Sequence, residues 1–192
     1  MSDGSLERFS GRGKYEFVLP ADLAGKILLA EAWGRVLGQG FTVEGDYRKG
    51  SAVLRELVGE SGWGNERAHI VIPPKYETLA ISKGGRNPGR WNLTFSELTD
   101  APKLTTETSG TTSRIYCHRG QKTEAEVDFQ GHGAVWFCDV EWRKKQKLIG
   151  HSDKFRGTIV IPGPGLVAVT GGHGGGLQWG SLLEWKMTLH PA

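Results

Sequence analysis

Short apolar runs alternate with polar residues along the whole chain, and none of them keeps the spacing of an amphipathic helix. Clusters of glycine and proline separate the runs and mark turns, as in Pro-Gly-Pro-Gly at 162–165. The pattern predicts strands in the first half at 15–19, 26–31, 41–44, 52–57, 68–72, 78–82 and 91–96. It predicts strands in the second half at 113–118, 123–129, 134–140, 146–149, 158–161, 166–170 and 182–189. Seven short strands per half are typical of an antiparallel sandwich.

The two halves of the chain also resemble each other. Residues 38–43 match 131–136, 68–73 match 157–162, and 89–95 match 183–189, at offsets of 93, 89 and 94 residues. Offsets that drift while the order is kept indicate loops of changing length between preserved strands. The sequence therefore predicts an all-β protein of two tandem, homologous, antiparallel β-sandwich domains with Greek-key-like connections, at 13–98 and 112–192. A flexible tail at 1–12 and a Thr-rich linker at 99–111 complete this division.

Several segments of the first half resemble a known type of module. They read FVLPADLAGK at 17–26, GFTV at 40–43, LVG at 57–59 and GRWNL at 89–93. The chain resembles, over nearly its whole length, the tandem β-sandwich modules common in actinobacterial proteins of unassigned role. It departs from their pattern at 61–64, where Ser-Gly-Trp-Gly stands at a place usually held by a tyrosine. The resemblance brings no catalytic residues and implies a binding or structural accessory role.

Charge and hydropathy narrow the range of partners. The net charge is +3 and the pI about 8.9, without the dense Lys/Arg stripe of a nucleic-acid binder, so we expect no nucleic-acid partner. No apolar run approaches the ~18 residues of a membrane span, and no basic and apolar leader stands at the N-terminus. We expect a cytoplasmic protein, with leaderless export as the alternative. Both cysteines, Cys117 and Cys138, fall in the second half, where we expect reduced thiols.

Three histidines form a candidate metal site in the second half. Strands of a sandwich alternate in direction, so the loops after its second, fourth and sixth strands gather at one pole. His132, His151 and His173 lie in these predicted loops, with Asp153 beside them. Converging imidazoles suit zinc or nickel. No H-x-H or H-E-x-x-H spacing supports such a site, which favours the alternative of solvated loop histidines.

Five of the seven tryptophans divide into two groups. Trp91 and Trp185 occupy equivalent strand positions, which predicts core packing. Trp33, Trp63 and Trp179 lie in glycine-flanked segments that we interpret as pole loops. Exposed rings on rigid loops serve ligand or protein contacts, and the alternative is that these loops fold back over the ends of the sandwich.

A basic segment beside an aromatic residue is expected at the opposite pole of the second half. Trp142, Arg143 and Lys144 lie in one predicted turn, followed by Lys145, and a neighbouring turn carries Arg119 and Lys122. Cations next to an aromatic ring can hold phosphate or a sulfated sugar, or stack on a base. The alternative is a solvated turn whose lysines protect the sheet edge.

Motifs of catalysis are missing from the sequence. It contains no G-x-S-x-G elbow, no Walker loop and no G-x-G-x-x-G between a strand and a helix, and His-Gly-Gly-Gly at 173–176 has no nucleophile elbow to accompany it. We therefore expect neither an enzyme nor a cofactor, but a binding module that recognises a glycan or a protein surface through its pole loops. One alternative is a structural or assembly subunit that forms homo-oligomers. The other is a metal-dependent protein that uses His132, His151 and His173.

Overall fold

Two compact units, residues 1–100 and 101–192, make up the chain. The computed structural model describes residues 5–34, 41–60, 67–82, 89–171 and 184–190. Within these ranges every regular element is a β-strand, apart from one 3-10 turn at Leu98–Asp100. The predicted all-β fold of two tandem antiparallel sandwiches is confirmed.

Unit 1 is a sandwich of two four-stranded antiparallel sheets. One sheet has the strand order β1-β8-β3-β6 and the other β2-β7-β4-β5. Their inward faces meet in one core that contains Phe41, Leu79, Leu93 and Phe95. The strands are β1 (Ser5–Arg12), β2 (Tyr15–Val18), β3 (Leu28–Gly34), β4 (Thr42–Lys49), β5 (Ala52–Glu60), β6 (Ala68–Ile72), β7 (Thr78–Ser82) and β8 (Arg90–Glu97).

Unit 2 repeats this arrangement with two long strands in place of four short ones. The strands are β9 (Glu107–Gly110), β10 (Arg114–His118), β11 (Thr123–Cys138), β12 (Lys145–Ile161), β13 (Gly165–Gly171) and β14 (Glu184–Leu189). The first half of β11 pairs with β14 and its second half with β13, while β12 follows β11 through both layers. The layers are therefore β9-β14-β11-β12 and β10-β13-β11-β12. Strand β11 corresponds to β3 and β4 of unit 1 joined end to end, and β12 corresponds to β5 and β6. Both units therefore have the strand order of an eight-stranded jelly roll.

The first strand of each unit lies where the sequence predicts no strand. Residues 5–12, predicted as a tail, form β1, and residues 107–110, within the predicted linker, form β9. Both are edge strands, paired with β8 and β14 respectively. The sequence of β9, Glu-Thr-Ser-Gly, has no apolar residue, so hydrophobic alternation cannot reveal it.

A tryptophan lies across a glycine of the edge strand in both units. Trp91 and Trp185 are 1% and 2% exposed, which confirms the prediction that both pack in the core. Trp91 is the cross-strand partner of Gly11, and its indole Nε1 donates to the Gly13 carbonyl at 2.9 Å. Trp185 is the partner of Gly110, and its Nε1 donates to the Thr112 carbonyl at 3.0 Å. The edge strands are therefore fixed by the same contact in each repeat.

The register of the strands corrects one of the sequence offsets. Val43 pairs with Ile81 in unit 1, and Val135 pairs with Val169 in unit 2. A bulge follows each valine in its pairing with the next strand, β5 in unit 1 and β12 in unit 2. The offset along β4 is therefore 92 residues, one less than the sequence alignment gives. A slip of one residue exchanges the two faces of a strand, so the correction moves Trp136 from the position of Val43 to that of Glu44.

The tryptophan–glycine contact predicts a cost for any side chain on the edge strand. A Cβ atom at Gly11 would lie 2.5 Å from Cζ2 of Trp91, inside van der Waals contact with a buried ring. We expect Gly11→Ala to lower the free energy of unfolding by about 2 kcal/mol, measured by urea denaturation. Gly150→Ala is the control, because the nearest atom to its added Cβ is 3.8 Å away, and we expect a change within about 0.5 kcal/mol. Equal effects of the two substitutions would contradict this packing.

Candidate functional site

Trp33 lies in strand β3 and not in a pole loop, which corrects the sequence interpretation. Its neighbours Ala32 and Gly34 are buried, and Ala32 belongs to the core of unit 1. Because side chains alternate along a strand, the Trp33 ring lies on the outer face of the β1-β8-β3-β6 sheet, where it is partly exposed.

Two arginines reach the Trp33 ring, Arg8 from strand β1 and Arg67 from the residue just before strand β6. The guanidinium carbons of Arg8 and Arg67 lie 6.0 and 5.8 Å from the ring centroid. Arg8 donates to Oδ1 of Asn92 at 3.2 Å, and Arg67 donates to Oε1 of Glu31 at 2.7 Å. These five residues, Arg8, Glu31, Trp33, Arg67 and Asn92, are called the Trp33 cluster below. Each guanidinium is hydrogen-bonded to a neighbouring side chain, and both arginine side chains are largely exposed.

The positions of the Trp33 cluster are occupied by charged residues in unit 2. By strand register, Asp128 stands at the position of Trp33, Lys186 at that of Asn92, and Glu107 at that of Arg8. Two cross-strand ion pairs result, Lys186–Glu107 at 3.4 Å and Arg156–Asp128 at 3.8 Å. Such exposed pairs are common on solvated sheet faces. The aromatic cluster is therefore a feature of unit 1 and not of the fold.

A tight turn between β11 and β12 displays Trp142. Its amide donates to the Asp139 carbonyl at 3.0 Å, and the Arg143 amide donates to Oδ1 of Asp139 at 2.7 Å. Trp142 adopts φ 58°, a left-handed conformation that is costly for a bulky residue. Lys145 Nζ lies 4.9 Å from the Trp142 ring centroid. Arg143 forms an exposed ion pair with Glu141 at 3.0 Å, and Lys144 is exposed.

The register places two predicted basic turns at one end of unit 2. Strand β10 ends at His118, opposite Gly165, and β11 ends at Cys138, opposite Leu166. The turns that carry Arg119 and Trp142 therefore leave the same end of the sheet. His118 closes the first turn, with its Nε2 3.0 Å from the Gln121 carbonyl oxygen.

His132 and His151 lie within the long strands β11 and β12 and not in loops, which corrects the sequence interpretation. Gly133 pairs with both Ser152 and Gly171, so the backbone around the two histidines does come together. The side chains of His132 and His151 are outside the described part of the chain, as are His173, Trp63 and Trp179. Among the described residues, no group of three or more His, Cys, Asp or Glu side chains is placed to hold a metal. The metal site stays a prediction.

Several residues of these surfaces do not stand out in the sequence. Arg8 falls in the predicted tail, and Arg67 is distant from Trp33 along the chain. Trp136 lies across from Lys147, whose Nζ is 4.8 Å from the ring centroid. Each of these contacts joins neighbouring strands, so strand register, and not local spacing, creates it.

The chain has a weak likeness to two solved structures of exported or secreted proteins. No family model matches the chain, and no curated protein matches it. The solved structure of the PBSX exported protein XepA is similar at 11% identity, over 96% of this chain and 82% of that one, with a TM-score of 0.26. A putative secreted protein from Parabacteroides distasonis ATCC 8503 is similar at 9% identity, over 96% and 89%, with a TM-score of 0.23.

Membrane spans were predicted to be missing, and the described ranges contain no helix that is long and apolar enough to cross a bilayer.

The left-handed conformation of Trp142 predicts that glycine is more stable than alanine at this position. Glycine adopts positive φ without steric cost, whereas alanine keeps the strain. Both substitutions remove the same ring, so the difference between them isolates the backbone. We expect the free energy of unfolding of Trp142→Gly to be about 1 kcal/mol larger than that of Trp142→Ala, measured by urea denaturation. Equal stability of the two variants would show that the turn is not strained.

Proposed function

We propose that this protein is a non-enzymatic binding module that recognises a glycan, and that the Trp33 cluster is its binding surface. A partly exposed indole offers a flat apolar area that is large for the side-chain entropy lost on binding. Sugar rings have an apolar face of matching shape and hydroxyls at their edge. The cluster surrounds the ring with hydrogen-bonding groups of both kinds, from guanidinium, amide and carboxylate side chains.

The polar groups of the cluster are already held in place. Arg8 is bonded to Asn92 of the neighbouring strand, and Arg67, which directly precedes β6, is bonded to Glu31 of β3. Groups fixed before binding lose little entropy when a ligand arrives. A rigid sheet also positions side chains better than a loop does. This geometry supports recognition of one face of a ligand that spans several strands.

The comparison of the two units carries the proposal. Unit 2 keeps the same sheet with ion pairs at these positions, so the architecture does not require Trp33, Arg8 or Asn92. The Trp33 ring and the arginines beside it are therefore an addition to the sheet and not a requirement of it. Contact with another molecule accounts for their presence.

Two exposed apolar side chains on an edge strand favour a second candidate function, that of an assembly subunit. Val53 and Leu57 on β5 are 62% and 45% exposed. Among the described strands β5 pairs with β4 alone, so it is an edge of its sheet. An apolar edge strand can pair with another chain. This function predicts an oligomer that Val53→Lys with Leu57→Lys dissociates, measured by light scattering after gel filtration.

Glycan binding is tested by an array of immobilised sugars, followed by titration of the best hit with tryptophan fluorescence. We expect Trp33→Ala to weaken binding about 30-fold, the loss typical of a buried aromatic anchor. Arg67→Ala should weaken it as well, because a hydrogen-bond donor beside the ring is lost. Arg156→Ala is the matched control, since Arg156 holds the position of Arg67 in unit 2, and it should bind as the parent does.

Two results would contradict the proposal. One is an array without any hit. The other is a hit whose affinity does not change in Trp33→Ala while that variant keeps the parent's thermal unfolding midpoint. A protein that is oligomeric and also gives no hit would favour the assembly function.

A further inference from the structure

We infer that unit 2 carries a separate binding site for a sulfated glycan, formed by Trp136, Trp142, Lys145 and Lys147 and called the lysine edge here. The inference does not rest on the proposed function, because it concerns other residues in the other unit. Two equivalent sheet edges, β4 with β5 in unit 1 and β11 with β12 in unit 2, differ in how their charges are paired.

Both lysines of the lysine edge lie on one face of strand β12. Lys145 pairs with Cys138 and Lys147 with Trp136, so their side chains are two residues apart, roughly 6.8 Å along the strand. Each ammonium group lies over an indole, Lys145 at 4.9 Å from the Trp142 centroid and Lys147 at 4.8 Å from that of Trp136. The result is a row of two cations, each beside a tryptophan.

The equivalent edge of unit 1 is neutralised by carboxylates. Asp46 stands at the position of Cys138 and faces Arg55, which stands at that of Lys145. Arg55 donates to both oxygens of Asp46, at 2.6 Å each, and to Glu16 at 2.7 Å. The hydrogen bonds that Arg55 donates hold the pKa of Asp46 below its usual range, and the same bonds to Asp46 and Glu16 raise the pKa of Arg55. The charge of this cation in unit 1 is thus paired with two carboxylates.

Unit 2 lacks these carboxylates at the same positions. Cys138 replaces Asp46, and burial raises the pKa of its thiol to about 11, so it is uncharged at neutral pH. Trp136 replaces Glu44, while Lys147 replaces Leu57. In the part of the chain that the structure describes, no carboxylate forms an ion pair with Lys145 or Lys147. Two exposed ammonium groups are therefore left to an external anion.

The chemistry of the site selects the ligand class. Lysine is a compact point charge that binds tetrahedral oxyanions such as phosphate and sulfate. The two indoles supply flat apolar surface for sugar rings between the charged groups. The short row of cations and the net charge of only +3 favour a glycan over a nucleic acid. A sulfated glycan combines the anion and the ring that the lysine edge fits.

The test uses heparin as the probe, with desulfated heparin and a single-stranded oligothymidylate as comparisons, titrated calorimetrically at two salt concentrations. We expect heparin to bind, desulfated heparin to bind at least tenfold more weakly, and Lys145→Glu with Lys147→Glu to weaken heparin binding at least tenfold. The control is Lys26→Glu with Lys49→Glu, which changes the net charge equally at exposed positions of unit 1. That control should keep its heparin affinity within twofold.

A further pair of variants separates binding from folding. Trp142→Gly and Trp142→Ala remove the same ring of the site but differ in backbone strain, so they should weaken heparin binding equally although their stabilities differ. Trp33→Ala should leave heparin affinity unchanged, so failure of this site and failure of the proposed glycan surface are distinguishable. No heparin binding, an equal loss in the control pair, or tighter binding of the oligothymidylate than of heparin would each overturn the inference.

Discussion

Each sandwich depends on one contact, in which a buried indole lies across a glycine of the edge strand. The glycine leaves room for the ring, and the indole N–H donates to a carbonyl two residues further along, so strand position and strand direction are fixed together. In unit 1 this contact holds Gly11 under Trp91. Arg8 lies three residues earlier on the opposite face of β1, and so it reaches Trp33. The core contact thereby sets the geometry of the outer surface.

The two units fill equivalent space in the core with rings from different positions. In unit 1 a Cβ at Gly45 would lie 2.5 Å from the Tyr76 ring. In unit 2 the position of Gly45 is held by Phe137, whose ring instead lies 2.5 Å from where a Cβ of Gly165 would be. Both units thus pack an aromatic ring against a glycine, but the ring and the glycine come from different positions of the sequence. This is expected where packing density must be preserved. Shared backbone order with exchanged side chains explains why the internal repeat is weak in sequence.

Inner strands rich in valine and isoleucine were predictable from the sequence, because their alternation reflects burial on one face. Strand β9 was not, since it contributes only a glycine and polar groups to its sheet. Glycines at 131, 133 and 150 resemble turn signals, which divided β11 and β12 into shorter strands than the structure has. The turn of Trp142 was predictable from its composition, whereas the neighbours of Trp33 and Trp136 depend on register, which a bulge shifts by one residue.

The distribution of paired charge differs between the units in a reciprocal way. Unit 1 neutralises the edge that carries Arg55 and places an aromatic residue among arginines on its other sheet. Unit 2 neutralises the sheet that carries Asp128 and leaves lysines beside tryptophans on the edge equivalent to that of Arg55. Because each sheet is stable in one unit with ordinary ion pairs, folding does not demand the aromatic and cationic groups found in the other. The same frame therefore carries its aromatic and cationic side chains on a different sheet in each unit.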